Sequence, residues 1–227
     1  MNSLLNPDTD IGFSMEDCLL PGEAEEIRSH THLVSYQKRE VIFRQNTPTS
    51  HVIFIKSGLI KIYKEGRNKR NFTLKIATPG EFIGLMSNYG DEMHQFSASA
   101  ILSAEIGYIN QQVFNNIIRK NSDFAVNLLK TLSIEGLYIF ERLLSQSHKQ
   151  LPGRIADVIL YFSDVIFKKE EFEFPVTRRE LAELAGTTKE SFIRTLSEFK
   201  NDKIISLEGS RVSINSMKII RTLSELG

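Results

Sequence analysis

The chain has 227 residues, 41% of them hydrophobic, which suits one large domain or two small ones with a substantial core. Its 28 basic and 28 acidic side chains cancel, so no global field draws it onto nucleic acid, and any such attraction is local to one surface. A single cysteine, Cys18, excludes an intramolecular disulfide and any cluster held by several cysteines of the chain, and no stretch approaches a membrane span.

Residues 1–15 mix acidic and polar side chains where a signal peptide needs a basic start and an apolar run, so a cytoplasmic protein is expected. Up to about Asp10 the chain reads as a loose tail, and residues 23–28 read as a short helix. His30-Thr31-His32 has the form of a metal-ligand pair. It follows a helical stretch, however, and lacks a carboxylate and a third histidine at useful spacing, so a solvated helix end is expected and no metal is assigned. Cys18 has no close basic neighbour to depress its pKa and reads as an inert small residue.

Short β-rich runs then follow one another at residues 34–36, 40–43, 51–55, 59–63, 71–76 and 104–109. Gln45-Asn46-Thr47-Pro48, Lys56-Ser57-Gly58, Glu65-Gly66-Arg67-Asn68 and Thr78-Pro79-Gly80 separate them, with Gly, Pro and Asn where the backbone must reverse. This is the pattern of an antiparallel barrel or sandwich. Phe82, Leu85, Met86, Tyr89, Phe96 and Ser97 mark a stretch that either lines an apolar effector pocket or fills the core.

Residues 110–121 form a short helix that breaks at Lys120-Asn121-Ser122. A long helix follows, running without proline to Pro152 and carrying Leu129, Leu132, Gly136, Ile139 and Leu143 at spacings of three and four. That seam either pairs two helices across a dimer or packs on the β domain. Leu151-Pro152-Gly153 reads as a hinge, and residues 154–167 as a helix with Ile155, Val158, Ile159, Phe162 and Ile166 on its inner face.

A helix-turn-helix comes next. Thr177 and Glu180 make a capping box for a helix at about 178–185, Gly186 ends it, and Thr187 with Glu190 reads as a second capping box. Phe192, Thr195, Leu196 and Phe199 give the second helix an apolar face. Thr188, Lys189, Glu190, Ile193 and Arg194 then fall on the face presented to a major groove, where Arg194 suits guanine and Glu190 suits a cytosine amino group. The plainer alternative is that Glu190 closes the cap and pairs with Arg194. Two alternating runs around Glu208-Gly209-Ser210 make a hairpin, the wing of a winged helix.

The helix-turn-helix with its wing resembles the DNA-binding domain of the Crp/Fnr family of bacterial transcription regulators, whose recognition helix carries a Glu and, four residues on, an Arg. The β-rich part is similar to that family's sensor domain, related to cyclic-nucleotide-binding domains, with Gly58, Pro79-Gly80, Phe82, Gly84 and the pair Ala98 and Ala100 at its turns. The resemblance implies an α+β chain with an N-terminal antiparallel β-roll (a double-stranded β-helix), a long dimerisation helix and a C-terminal winged helix-turn-helix. Its parts are residues 1–26 (tail and short helix), 27–120 (sensor), 121–151 (dimerisation helix) and 152–227 (DNA-binding domain).

It further implies a homodimer on a palindromic operator of double-stranded DNA, an unidentified small-molecule effector, RNA polymerase as a further partner, and Arg178 as a phosphate contact. Members that bind cyclic AMP carry a Glu and an Arg where this chain has Leu85 and Phe96. A buried phosphate without a guanidinium is costly, so cyclic AMP held in the usual way is not expected. Nor is the iron-sulfur form, since only Cys18 remains of its cysteines. No Ser/His/Asp, Cys/His or paired-carboxylate set points to an enzyme. The alternative class is a ligand-binding β-roll whose winged helix contacts protein instead of DNA.

Overall fold

The structure, a computed structural model, describes residues 18–66 and 71–227. The expected loose start of the chain, and Arg67 and Asn68 of one expected turn, lie outside them. Two compact units divide inside a long helix, the first ending at Gly136 and the second running from Leu137 to Gly227.

In the first unit α1 (Pro21–Ser29) starts on Pro21, whose fixed φ suits a first helical turn and whose missing N–H costs nothing there. Eight strands follow: β1 (Thr31–Tyr36), β2 (Val41–Phe43), β3 (His51–Ser57), β4 (Ile60–Glu65), β5 (Asn71–Ala77), β6 (Phe82–Ile83), β7 (Ser97–Ala100) and β8 (Ala104–Asn110). A short helix, α2 (Leu85–Tyr89), lies between β6 and β7. The strands form two antiparallel sheets in the orders β1-β8-β3-β6 and β2-β7-β4-β5, the expected β-roll.

Strand alternation gives β3 two buried faces. Ile53 and Ile55 enter the roll with Ile60, Ile62, Ile83, Ala98 and Ile106, while Val52 joins a second core built from Ile27, Phe82, Leu85, Ile109, Phe114, Ile117, Phe124 and Leu128. Phe114 is wholly buried and meets Phe82 and Phe124 edge-on at 5.5 and 5.4 Å. Such burial stabilises by about 1.5–3 kcal/mol. It fixes α3 (Gln111–Lys120) and the start of α4 (Ser122–His148) against the roll. Asn121 sits at the expected break between them and accepts a hydrogen bond from the Phe124 N–H at 2.9 Å.

Several expectations need correction here. Ala98 and Ala100 lie within β7, not at turns, and pair with Ile62 and Ile60 of β4. His30 is the C-cap of α1, but His32 is an exposed residue of β1, so the pair is not a helix end. Among the described residues no group of three or more His, Cys, Asp or Glu is placed to hold a metal. No described helix is long and apolar enough to cross a membrane.

The second unit holds the end of α4, then α5 (Leu151–Leu160), a π-helical turn (Tyr161–Phe167), β9 (Glu171–Glu173), α6 (Arg178–Leu184), α7 (Lys189–Asn201), β10 (Ile205–Glu208), β11 (Arg211–Ile214) and α8 (Met217–Leu226). The helix predicted over 154–167 therefore starts earlier and changes hydrogen-bond pattern at Tyr161. Pro152 and Gly153, read as a hinge, lie inside α5. Pro152 stands in the first turn of α5, and Gly153 is buried where α5 meets the end of α8. The break between α4 and α5 is at Lys149-Gln150.

Asp157 ties this junction together. Its carboxylate accepts from Ser145 on α4 at 2.7 Å, Lys149 at 2.8 Å and Ser224 on α8 at 2.5 Å. With Lys149 reaching both carboxylate oxygens, four hydrogen bonds to one buried acid join the end of α4 and the α4–α5 break to α8, which is far away in sequence.

Candidate nucleic-acid interface and sensor site

The helix-turn-helix is set by local chemistry. Thr177 Oγ1 accepts from the Glu180 N–H, and the Glu180 carboxylate accepts from the Thr177 N–H at 2.9 Å, so the first capping box forms as read from sequence. At the other end of α6, Gly186 takes φ +60°. The N–H groups of Gly186 and Thr187 then return to the carbonyls of Glu183 at 3.2 Å and Ala182 at 2.9 Å. That is a Schellman motif, and it uses Thr187 to finish α6.

The second cap is consequently one residue later than expected. Thr188, not Thr187, is the N-cap of α7, and its Oγ1 accepts from the Ser191 N–H at 3.2 Å. Glu190 is left out of the cap. Phe192, Thr195, Leu196 and Phe199 are buried, each at 4% exposure or less, and they fix the rotation of α7. Thr188, Lys189, Glu190, Ile193 and Arg194 are all exposed on the opposite side. Among the described residues Glu190 and Arg194 make no ion pair with each other or with any third group, so the plainer reading of that pair is not the one adopted.

The wing is β10 and β11 joined at Gly209-Ser210, and β9 pairs with β11 as a third strand. β9, Glu171-Phe172-Glu173, is too short to have been read as a strand from sequence. Arg178, expected at a phosphate, instead donates to the Gly209 carbonyl at the wing turn and lies over the Phe174 ring at 5.4 Å. Its Nη1 is buried without a partner among the described residues, and burial lowers its pKa. α8, also unread in the sequence, is capped by Ser216, which accepts from the Ile219 N–H. Ser216 followed by Ile219, Ile220 and Leu223 was the available signal.

In the first unit the six residues read as one effector pocket do not converge. Phe82 and Leu85 belong to the core under α1, α3 and α4, whereas Phe96 packs on the interior of the roll. Ser97 is fully buried and donates to Glu65 at 3.0 Å, and Tyr89 is exposed with its hydroxyl donating to Asn115 at 2.7 Å. Met86 is half-buried on α2. A buried group not singled out from sequence lies beside them. His94 stacks on Phe43 at 3.9 Å, its Nδ1 is buried without a partner among the described residues, and burial lowers its pKa.

Comparison with known proteins decides the family. Residues 33–121 match the family described as Cyclic nucleotide-binding domain, and residues 153–223 match the Crp-like helix-turn-helix domain. The chain belongs to the Crp/Fnr family. Among curated relatives, the cAMP-activated global transcriptional regulator CRP of Salmonella typhimurium is 21% identical over 191 residues, covering 82% of this chain and 90% of its own length. FixK2 from Bradyrhizobium japonicum shares the fold with a TM-score of 0.78 at 20% identity, over 85% of this chain and 96% of that one. The c-di-GMP-responsive global regulator CLP of Xanthomonas campestris gives 0.72 at 21% identity, over 86% and 99%.

As a Crp/Fnr transcription regulator the chain has a cyclic-nucleotide-binding domain by family, with Leu85 and Phe96 at the two positions compared above with a Glu and an Arg. The stretch from Phe82 to Ser97 contains no lysine or arginine and carries the carboxylates Asp91 and Glu92. Leu85 is 2% exposed and held in a core that no ligand enters without unpacking it. The cation that the structure places against this stretch comes from β4: Lys64 Nζ donates to the Gln95 carbonyl.

Proposed function

We propose that this Crp/Fnr regulator acts as a homodimer on an inverted-repeat operator, reading bases with the exposed face of α7, and that its β-roll answers to an effector other than cyclic AMP held in the usual way. The observation that carries the DNA reading is the outward, unpaired pair Glu190 and Arg194, one turn apart on a helix whose other face is locked by Phe192, Leu196 and Phe199. An unengaged guanidinium can give two hydrogen bonds to guanine O6 and N7, and an unengaged carboxylate can accept from a cytosine amino group.

The dimer reading is supported by α4. Val126, Leu129, Phe140 and Leu143 are exposed, with Leu129 at 65% and Phe140 at 66%, and they share heptad spacing with Ser133 and Gly136. A Cβ added at Gly136 would meet nothing within 4 Å, leaving room for a second helix to approach. In such a dimer the two α7 helices enter successive major grooves ~34 Å apart. The domain boundaries proposed with this reading are 27–120 for the sensor, 121–151 for the pairing helix and 152–227 for DNA binding, in a cytoplasmic protein.

Selection of duplexes from a randomised pool by the full chain, followed by gel shift, tests the reading. An enriched inverted repeat bound with two chains per duplex is expected. Enrichment of no sequence at any salt concentration would leave the alternative, a winged helix that contacts protein.

A further inference from the structure

Ile193 is a large apolar side chain 39% exposed at the middle of the polar face of α7. By helical position it falls between Lys189 and Glu190, with Arg194 beside it, and its outer part is open to solvent. Ser197, one turn further on, turns its hydroxyl back to the Ile193 carbonyl at 2.8 Å, so that hydroxyl is engaged with the helix and the centre of the face is left to the isoleucine. A β-branched residue there carries a helix-propensity cost that lysine would avoid, and it leaves apolar surface open to solvent.

Among the groups displayed in a major groove, only the thymine 5-methyl is apolar. Polar base edges would lose water against an isoleucine and receive no hydrogen bond in return. We infer that Ile193 determines specificity by packing on a thymine methyl group in each half-site, next to the base pair read by Arg194. This rests on the proposed DNA reading and adds to it the chemical feature recognised: a methyl group, sensed by burial of apolar surface and not by hydrogen bonding.

The test uses duplexes selected by the full-length protein from a randomised pool, with each thymine replaced in turn by deoxyuridine, which lacks only the methyl. One symmetry-related thymine position should lose affinity about fourfold per half-site, the factor that goes with one methyl group no longer buried. The same substitution should be without effect in Ile193→Ser, which is on the helix surface and leaves the core intact, while guanine preference through Arg194 is retained. Absence of any methyl-sensitive thymine, or persistence of the sensitivity in Ile193→Ser, overturns the inference while leaving DNA binding standing. Failure of the wild-type protein to select any duplex overturns both.

Discussion

Gly153 and Gly227 lie so close that a β-carbon built on Gly153 would stand 2.7 Å from the Gly227 Cα and 2.8 Å from the Leu223 carbonyl oxygen. The first turn of α5 and the last turn of α8 thus meet backbone to backbone. In a free helix Gly→Ala would gain about 0.5–1 kcal/mol, so a loss of stability on Gly153→Ala can come only from this contact. Overpacking of this kind costs ~1–3 kcal/mol, and melting of the C-terminal unit should come ~5–15 °C earlier. An unchanged or raised melting temperature would restore Gly153 as a flexible link.

Phe140→Glu should dissociate the proposed dimer. Two like charges would be brought to the middle of the pairing helices, and Phe140, 66% exposed in its own chain, has little packing there to lose. Sedimentation should show monomers with an unchanged circular dichroism spectrum. Leu132→Glu is the contrast, because Leu132 packs on the core around Phe124 and Leu128 and its loss should unfold the first unit. A Phe140→Glu protein that sediments as a dimer would place the interface elsewhere.

The sequence was most readable where structure is set by neighbours in the chain. The Thr177 cap, the apolar face of α7 and the strands β1 to β5 and β8 all follow from local spacing. The second cap slipped by one because Thr187 and Thr188 each have a suitable residue three positions on, and only the Schellman motif at Gly186 decides between them. β7, Ser97–Ala100, is made of small residues without strand propensity and exists because β2 and β4 pair with it on both sides. The pocket residues separated for a similar reason. Phe82 and Ile83 are adjacent on β6 and therefore point to opposite faces, one into the helix-packing core and one into the roll.

Stability of the first unit should depend on pH through His94. Burial lowers its pKa, so the folded chain holds the neutral ring while the unfolded chain takes up a proton near the ordinary value of about 6.5. Stability is then complete above that value and declines as pH falls below it, because the unfolded state binds the proton that the folded state refuses. Thermal melts at successive pH values should show this decline in the wild type and a shallower one in His94→Gln. Parallel declines in the two proteins would remove His94 as the cause.

Glu190 is now a clean probe of base reading, since Ser191 and Thr188 make the cap without it. Glu190→Gln should change stability by no more than about 0.5 kcal/mol, the range for an exposed charge near a helix N-terminus. In a binding selection it should relax preference at one symmetric position that bears cytosine. If the selected sequence is unchanged, Glu190 does not reach a base.

Arg194 and Arg178 should separate two roles that their shared guanidinium chemistry would otherwise confuse. Arg194 is exposed on α7 and has no partner among the described residues, so on the proposed DNA reading Arg194→Ala should cost ~1–3 kcal/mol of binding and relax one symmetric guanine position. Arg178 is engaged with the Gly209 carbonyl and the Phe174 ring. Arg178→Ala should therefore lower stability, by about 1–2 kcal/mol for a half-exposed charged hydrogen bond, through loosening of the wing turn. Its effect on DNA should be a uniform weakening that follows the loss of wing order, with the dependence of log affinity on log salt unchanged. A phosphate contact would instead remove about one charge from that slope and leave the melting temperature where it was. Arg178→Lys sharpens the distinction, since lysine can satisfy a phosphate as a point charge but cannot stack a planar group on Phe174 while donating to Gly209. Recovery of full affinity in Arg178→Lys would return Arg178 to the phosphate backbone.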